Sequence, residues 1–359
     1  MTQARVKLLQ ELSEVNGVPG FEAQVAQVVE RELKAFTEVA RDNLGSIICR
    51  KEGDSKGPKV MLAAHLDEIG FMVTLVTEQG FVKFAPLGGW WDQVLLAHRV
   101  AIQTHKGEVV GFIGSKPPHL LTEEERNKVR KRQEMFIDIG AKDQKEATER
   151  FGVRPGDAIL PWSPFTRMAN EKLLAGKAWD DRVGVALMVE AMKALRGKRH
   201  PNVLYGVGTA QEEVGLRGAQ TAVQTVKPDL GIVLETAIAG DVPGIEPHES
   251  GVKLGAGTAI YFLEGSMIPD VRFRDFAVEV CEKEKIPHQL AFIERGGTDG
   301  GRIHVHASGV PCCIISVPTR HIHTHAGILH ADDFDNSVKL LVALIQRLDA
   351  AAARKLTSA

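Results

Sequence analysis

Apolar positions recur at helical spacing over residues 3–15 and 21–36, where Val25, Val28, Val29 and Leu33 share one face. The intervening Asn-Gly-Val-Pro-Gly reads as a turn. Short continuous apolar runs follow, each closing on polar residues: KVMLAAH (59–65), NVLYGVGTAQEE (202–213), LGIVLE (230–235) and PCCIISV (311–317). Such runs predict buried strands whose C-terminal ends open onto a site. Helical patterns over 181–196, 217–226 and 269–284 lie between them. A last helix is expected over 333–353, with Asp332 and Asp333 as N-cap residues and a stripe of Val338, Leu341, Leu344, Ile345 and Leu348. Strands alternating with helices predict an α/β fold whose sheet is largely parallel and sandwiched by helices.

Residues 73–165 break this rhythm. Short alternating runs such as FVKFAP and RVAIQTHKGEVVGFIG, many glycines and a charged stretch (TEEERNKVRKRQEMF) suggest a small β-rich module. The α/β pattern resumes afterwards. The module is therefore expected as an insertion, leaving a discontinuous main domain of 1–72 and 166–359.

Composition narrows the class of partner. The 359 residues carry 44 Lys+Arg against 46 Asp+Glu, a balance that offers no electrostatic footprint for nucleic acid or an anionic membrane. No run approaches the ~20 apolar residues of a membrane span. The N-terminus is amphipathic and charged rather than signal-like. Of the four cysteines, Cys312 and Cys313 are adjacent in a predicted strand, which suits burial better than a disulfide framework. A reduced, cytoplasmic setting is expected.

The chemistry gathers at the ends of the predicted strands. His65 and Asp67 stand two apart at one end, where a carboxylate can orient a histidine ligand or simply cap the next turn. Asp180 and Asp181 precede an apolar helix, so N-capping and bridging of two cations both account for them. Glu212 and Glu213 end another strand and point apart, one toward a metal and one toward substrate as general base. Glu235 ends a fourth, and six of thirteen histidines fall within 304–330, including His321, His323 and His325. Oxygen and imidazole donors without cysteine suit zinc, cobalt or manganese, and the set is large enough for two ions. The glycine-rich GGTDGGR (296–302) lacks phosphate-loop spacing; it reads as a turn carrying Asp299 and Arg302 to the site rim.

Six blocks carry a resemblance: AAHLDEIGF (63–71), KAWDDRVG (177–184), TAQEEVGLRGA (209–219), ETAIAGDVPG (235–244), GGTDGG (296–301) and TRHIHTHAG (319–327). In this order the chain resembles the tetrahedral (TET) metallo-aminopeptidases, which include glutamyl and deblocking aminopeptidases and proteins once labelled endoglucanase M. The resemblance implies a zinc-exopeptidase sandwich with a β-rich insertion used in dimer contacts, and dimers assembled into dodecamers. It implies two divalent metals, zinc or cobalt, held by His65, Asp180, Glu213, Glu235 and His323, with Asp180 bridging and Asp181 behind it. Asp67 would orient His65, and Glu212 would act as base toward a metal-bridging water. The family often has Asp where this chain has Glu235, which leaves Asp241 as an alternative ligand. Asp299 and Arg320 are candidates for contacting substrate, expected to be peptides with a free N-terminus. Two other readings remain: a non-catalytic metal-binding assembly protein, and a glycoside hydrolase using paired carboxylates.

Overall fold

The computed structural model describes residues 1–357. An eleven-stranded mixed sheet carries the chain. Its centre is four parallel strands in the order Val203–Thr209, Lys59–His65, Leu230–Ile238 and Cys312–Arg320. Antiparallel strands flank this centre: Ile47–Lys51 pairs with Val203–Thr209, and Gly327–His330 with Cys312–Arg320. Thr258–Leu263 and His288–Phe292, which have no clear sequence signal, branch off Cys312–Arg320.

Continuous apolar strands are needed because both faces of the sheet are covered. Along Lys59–His65, Val60, Leu62 and Ala64 enter one core layer, whereas Met61 and Ala63 enter the other. The first layer is filled by the helices Gln3–Glu14, Ala23–Leu33, Trp179–Ala194 and Ala331–Ile345, through residues such as Leu9, Val29, Met188 and Leu341. The second is filled by Arg217–Val226 and the short helix Gly300–Ile303, through Ala222, Val226 and Ile303. Each buried Leu or Ile contributes roughly 1.5–3 kcal/mol of transfer free energy. All four cysteines are free and buried.

Two terminal expectations need correction. The last helix is two, Ala331–Ile345 and Ala350–Thr357, because Asp349 intervenes and its carboxylate accepts from the Ala351 and Ala352 amides as a new N-cap. Further upstream the N-cap is His330, whose Nδ1 accepts from the Asp332 amide. Asp333 lies inside the first turn, buried, and accepts from the Gly255 and Gly257 amides.

Six strands, Gly70–Val76, Val82–Leu87, Arg99–Thr104, Gly107–Gly114, Phe136–Asp138 and Ala158–Pro161, close into a small antiparallel barrel inserted between strands of the main sheet. It has its own core, including Phe71, Val82, Ile102, Ile113 and Ile137. Closure leaves no free sheet edge at the tip of the insertion. Trp90 stacks on Phe71 at 4.7 Å and donates to the Gly70 carbonyl, fixing the loop that leaves the barrel toward the main sheet. Among the described residues no helix is long and apolar enough to cross a membrane.

Candidate active site

The parallel strands end at one edge of the sheet, the position at which open α/β sheets bind ligands. His65 is the last residue of its strand and pairs in register with Thr209. Its backbone N–H donates to Asp181 Oδ2 at 3.1 Å. Its ring Nδ1 lies 3.0 Å from the Asp67 carbonyl oxygen and 3.7 Å from the Asp67 carboxylate. With Nδ1–H turned to that carbonyl, Nε2 faces acids: Asp180 at 2.9 Å, Glu235 at 3.9 Å and Glu212 at 4.0 Å. The ring contact expected of the Asp67 side chain is thus made at closer range by its main chain. The buried Asp67 carboxylate instead accepts from the Glu212 and Glu213 amides, each at 3.0 Å.

The two aspartates divide the alternatives between them. Asp181 Oδ1 accepts from the Gly184 amide at 3.0 Å and caps the helix, and a Cβ on Gly184 would sit 2.3 Å from that oxygen. Asp180 is turned into the cleft between two imidazoles, with His323 Nε2 3.3 Å from its Oδ2. Both residues depart from helical φ/ψ and their shared peptide is cis, so the regular helix begins after them.

His323 also approaches Glu213, at 3.6 Å, and its Nδ1 donates to the Gly89 carbonyl at 2.7 Å. That carbonyl belongs to the loop from the barrel, so the insertion orients a residue of the main sheet. Gly88 beside it has φ +83°, and a Cβ there would lie 2.8 Å from Glu213 Oε2. His325 is buried under the same loop, stacked on His98 with ring centroids 3.8 Å apart. Sequence reasoning missed this loop; the only available signal was the Gly-Gly-Trp-Trp run at 88–91. It also missed a buried ion cluster beneath the site. Arg182 is fully buried and donates to the carbonyls of Leu12, Val15, Gly17 and Leu66 and to Glu68, which Lys177 also contacts at 2.5 Å.

Four sequence candidates lie elsewhere. Arg320 makes a two-bond ion pair with Asp241, at 2.9 and 2.6 Å. That pair occupies both side chains, so Arg320 does not line the cleft and Asp241 is not among the clustered donors. Asp299 is buried rather than on the rim, bonded to Thr209 Oγ1. It precedes a short helix where only a turn was expected. Arg302 is exposed and outside the cleft lining.

Electrostatics follow from burying many acids against few cations. Burial pushes the Glu212 carboxyl well above the usual range, against the attraction of His65 and with help from the charges of Glu213 and Asp299. Glu235 is likewise raised, by burial and then by Asp181 and Asp180. Burial lifts Glu213 to about 7 and Asp299 to about 6. Asp180 moves the other way: burial alone would raise it, but the hydrogen bonds from His323 and His65 outweigh burial and depress it. The bond to Asp180 overcomes burial at His323, held up at about 10, and the charge of Glu212 together with the bond to Asp180 does so at His65, raised well above its usual value.

This donor set fits divalent cations. His65, Asp180 and Glu235 present one ligand atom each within 4.8 Å of one another, and so do Asp180, Glu213 and His323. Asp180 belongs to both groups. Glu213 Oε1 is buried without a hydrogen-bond partner, a cost that a cation removes. The cluster lines part of a cleft of about 450 Å³.

A peptidase with a metal-competent, carboxylate-rich cleft on an exopeptidase sandwich is what this fold and site define. The M42 glutamyl aminopeptidase family matches residues 45–340, and the chain belongs to that family, as a peptide hydrolase. FrvX of Escherichia coli K12 is 40% identical over 348 residues, covering 96% of each chain. The crystal structure of a TET aminopeptidase from the marine sediment archaeon Thaumarchaeota archaeon SCGC AB-539-E09 superposes with a TM-score of 0.96 at 44% identity, covering 99% of both chains. The TET1 peptidase of Pyrococcus horikoshii, which can assemble into a tetrahedron or a large octahedral shell, has a TM-score of 0.87 at 30% identity, covering 96% of this chain and 100% of that one.

Proposed function

We propose that this protein is a dinuclear metallo-aminopeptidase that removes residues from the free N-terminus of peptides. The observation that carries the reading is the pair of donor triads sharing Asp180 in the lining of one cleft. His65 and Glu235 would hold one ion, Glu213 and His323 the other, with Asp180 common to both. Zinc or cobalt there would supply Lewis acidity, lowering the pKa of bound water and polarising a substrate carbonyl.

The chain's own groups do the rest. Glu212 stands beside the donors without belonging to either triad, which leaves its carboxylate available as a general base. In this role it takes a proton from the attacking water and returns it to the leaving amine. Asp67 is a positioning residue, fixing the main chain of Glu212 and Glu213 so that their side chains diverge. The cluster's excess of carboxylates attracts an α-ammonium group, which favours substrates presenting a free N-terminus.

We also propose that residues 1–72 and 166–359 form the catalytic unit and that the insertion of 73–165 mediates dimer contacts. The dimers would assemble into a dodecamer, as the likeness to a tetrahedron-forming peptidase supports. Stripping the protein of metal and re-loading it with zinc or cobalt tests the activity, on short peptides with free or acetylated N-termini. Metal-dependent release from free termini alone is expected. Release from acetylated peptides at the same rate would refute the aminopeptidase assignment.

A further inference from the structure

We infer that the cleft selects neutral, apolar N-terminal side chains and rejects acidic and basic ones, an inference that rests on the aminopeptidase reading. The acids and histidines supply one part of the cleft lining. The rest is Leu216, Ile238, Tyr261, Ile293 and Ile322, with glycines and the uncharged Thr236, Ser266 and Thr298. A residue held by its amine and carbonyl at the cluster has only this uncharged part of the lining for its side chain.

An acidic side chain would find no cation there. Among the described residues lining the cleft there is no lysine or arginine. Arg320 is committed to Asp241, and Arg295 and Arg302 are exposed outside the lining. A basic side chain would find no anion in the lining outside the metal-binding cluster. Glu264, behind the lining, is buried and accepts from the Ser266 amide and hydroxyl at 2.7, 2.8 and 3.0 Å. The Tyr261 hydroxyl donates to the Thr236 carbonyl at 3.3 Å, so it presents its ring to the cleft with its polar end engaged. A charge brought in would lose its hydration without a partner, whereas Leu or Met would exchange water for apolar walls. The chain therefore departs from the glutamyl preference in its family's name.

The test is kcat/KM of the metal-loaded protein on the p-nitroanilides of Leu, Met, Glu and Lys. Leu and Met are expected to exceed Glu and Lys by about 100-fold or more, the scale on which pockets discriminate unmatched groups. Glu or Lys within about threefold of Leu would overturn the inference while leaving the aminopeptidase reading intact. Release from none of the four, with metal bound, would instead refute that reading and the inference with it. I293R places a cation on the wall and should raise the Glu-to-Leu ratio by about tenfold or more, roughly one charge-assisted contact. A ratio is unaffected by a misfolded fraction, so an unchanged ratio in I293R also overturns the inference.

Discussion

Asp67→Asn separates two ways in which this residue could serve the site. The side chain is buried, and its two oxygens accept from the Glu212 and Glu213 amides at 3.0 Å each. The substitution keeps the shape but turns one acceptor into an NH₂ group facing a backbone N–H. One charge-assisted hydrogen bond is lost, at about 1.5–3 kcal/mol, and a buried donor is left unpaired, at about 1–3 kcal/mol. The peptide must rotate to relieve that contact, carrying Glu212 with it, and a misplacement of about 1 Å can cost on the order of 100-fold in rate. The His65 ring keeps its bond to the residue 67 carbonyl, which the substitution does not touch. The expected result is a stability loss of roughly 2.5–6 kcal/mol by urea unfolding and a fall in kcat of about 100-fold, with metal content by elemental analysis reduced far less. If D67N lost its metals yet retained the kcat of the remaining loaded fraction, the carboxylate would be acting on His65, and the reasoning would be refuted.

Other perturbations probe the remaining supports. Gly88→Ala forces a side chain into φ +83° and against Glu213 Oε2, so weaker metal binding in a competition titration is expected, with about 1–2 kcal/mol lost in unfolding; unchanged affinity would exclude the loop's influence. Arg182→Met strips five partners of a buried cation and leaves Glu68 with Lys177 and the Gly17 amide, so a loss of about 3–5 kcal/mol is expected in denaturant unfolding, and a loss below 1 kcal/mol would contradict the cluster's role. In metal-free protein, Asp299 has its pKa raised from 3.8 to about 6, so the folded state binds its proton more tightly. Its contribution to stability is present below pH ~4 and lost as pH rises to ~6; D299N should therefore gain on the order of 2–3 kcal/mol over wild type across that window, and a parallel pH profile would refute the assignment.

The sheet was legible because a strand buried on both faces must be apolar throughout, and KVMLAAH and LGIVLE end within a few residues of the observed strands. That His65, the Glu212–Glu213 pair and Glu235 meet was legible for a related reason, since parallel strands bring their C-terminal ends to one edge; Asp180 and the choice of His323 among its neighbours came from the family resemblance alone. What the sequence hid are relations set by tertiary packing. The opposite orientations of Asp180 and Asp181 depend on a local backbone that an apolar helical run does not encode. The contact of Gly89 with His323 joins positions 234 residues apart. Arg320 and Asp241 are each plausible site residues until they are seen to pair with one another. Asp299 looks exposed within a glycine-rich turn, yet the turn folds inward and buries it.

The central claim is that two cations and a separate base, Glu212, do the chemistry. Glu212→Gln, assayed side by side for bound metal per chain and for turnover of a Leu-p-nitroanilide, tests it most directly. Both proteins should carry two divalent ions per chain, and E212Q should lose turnover by about 1,000-fold, within the span general-base catalysis supplies. An E212Q protein that turns over within about tenfold of wild type with both ions bound would contradict it.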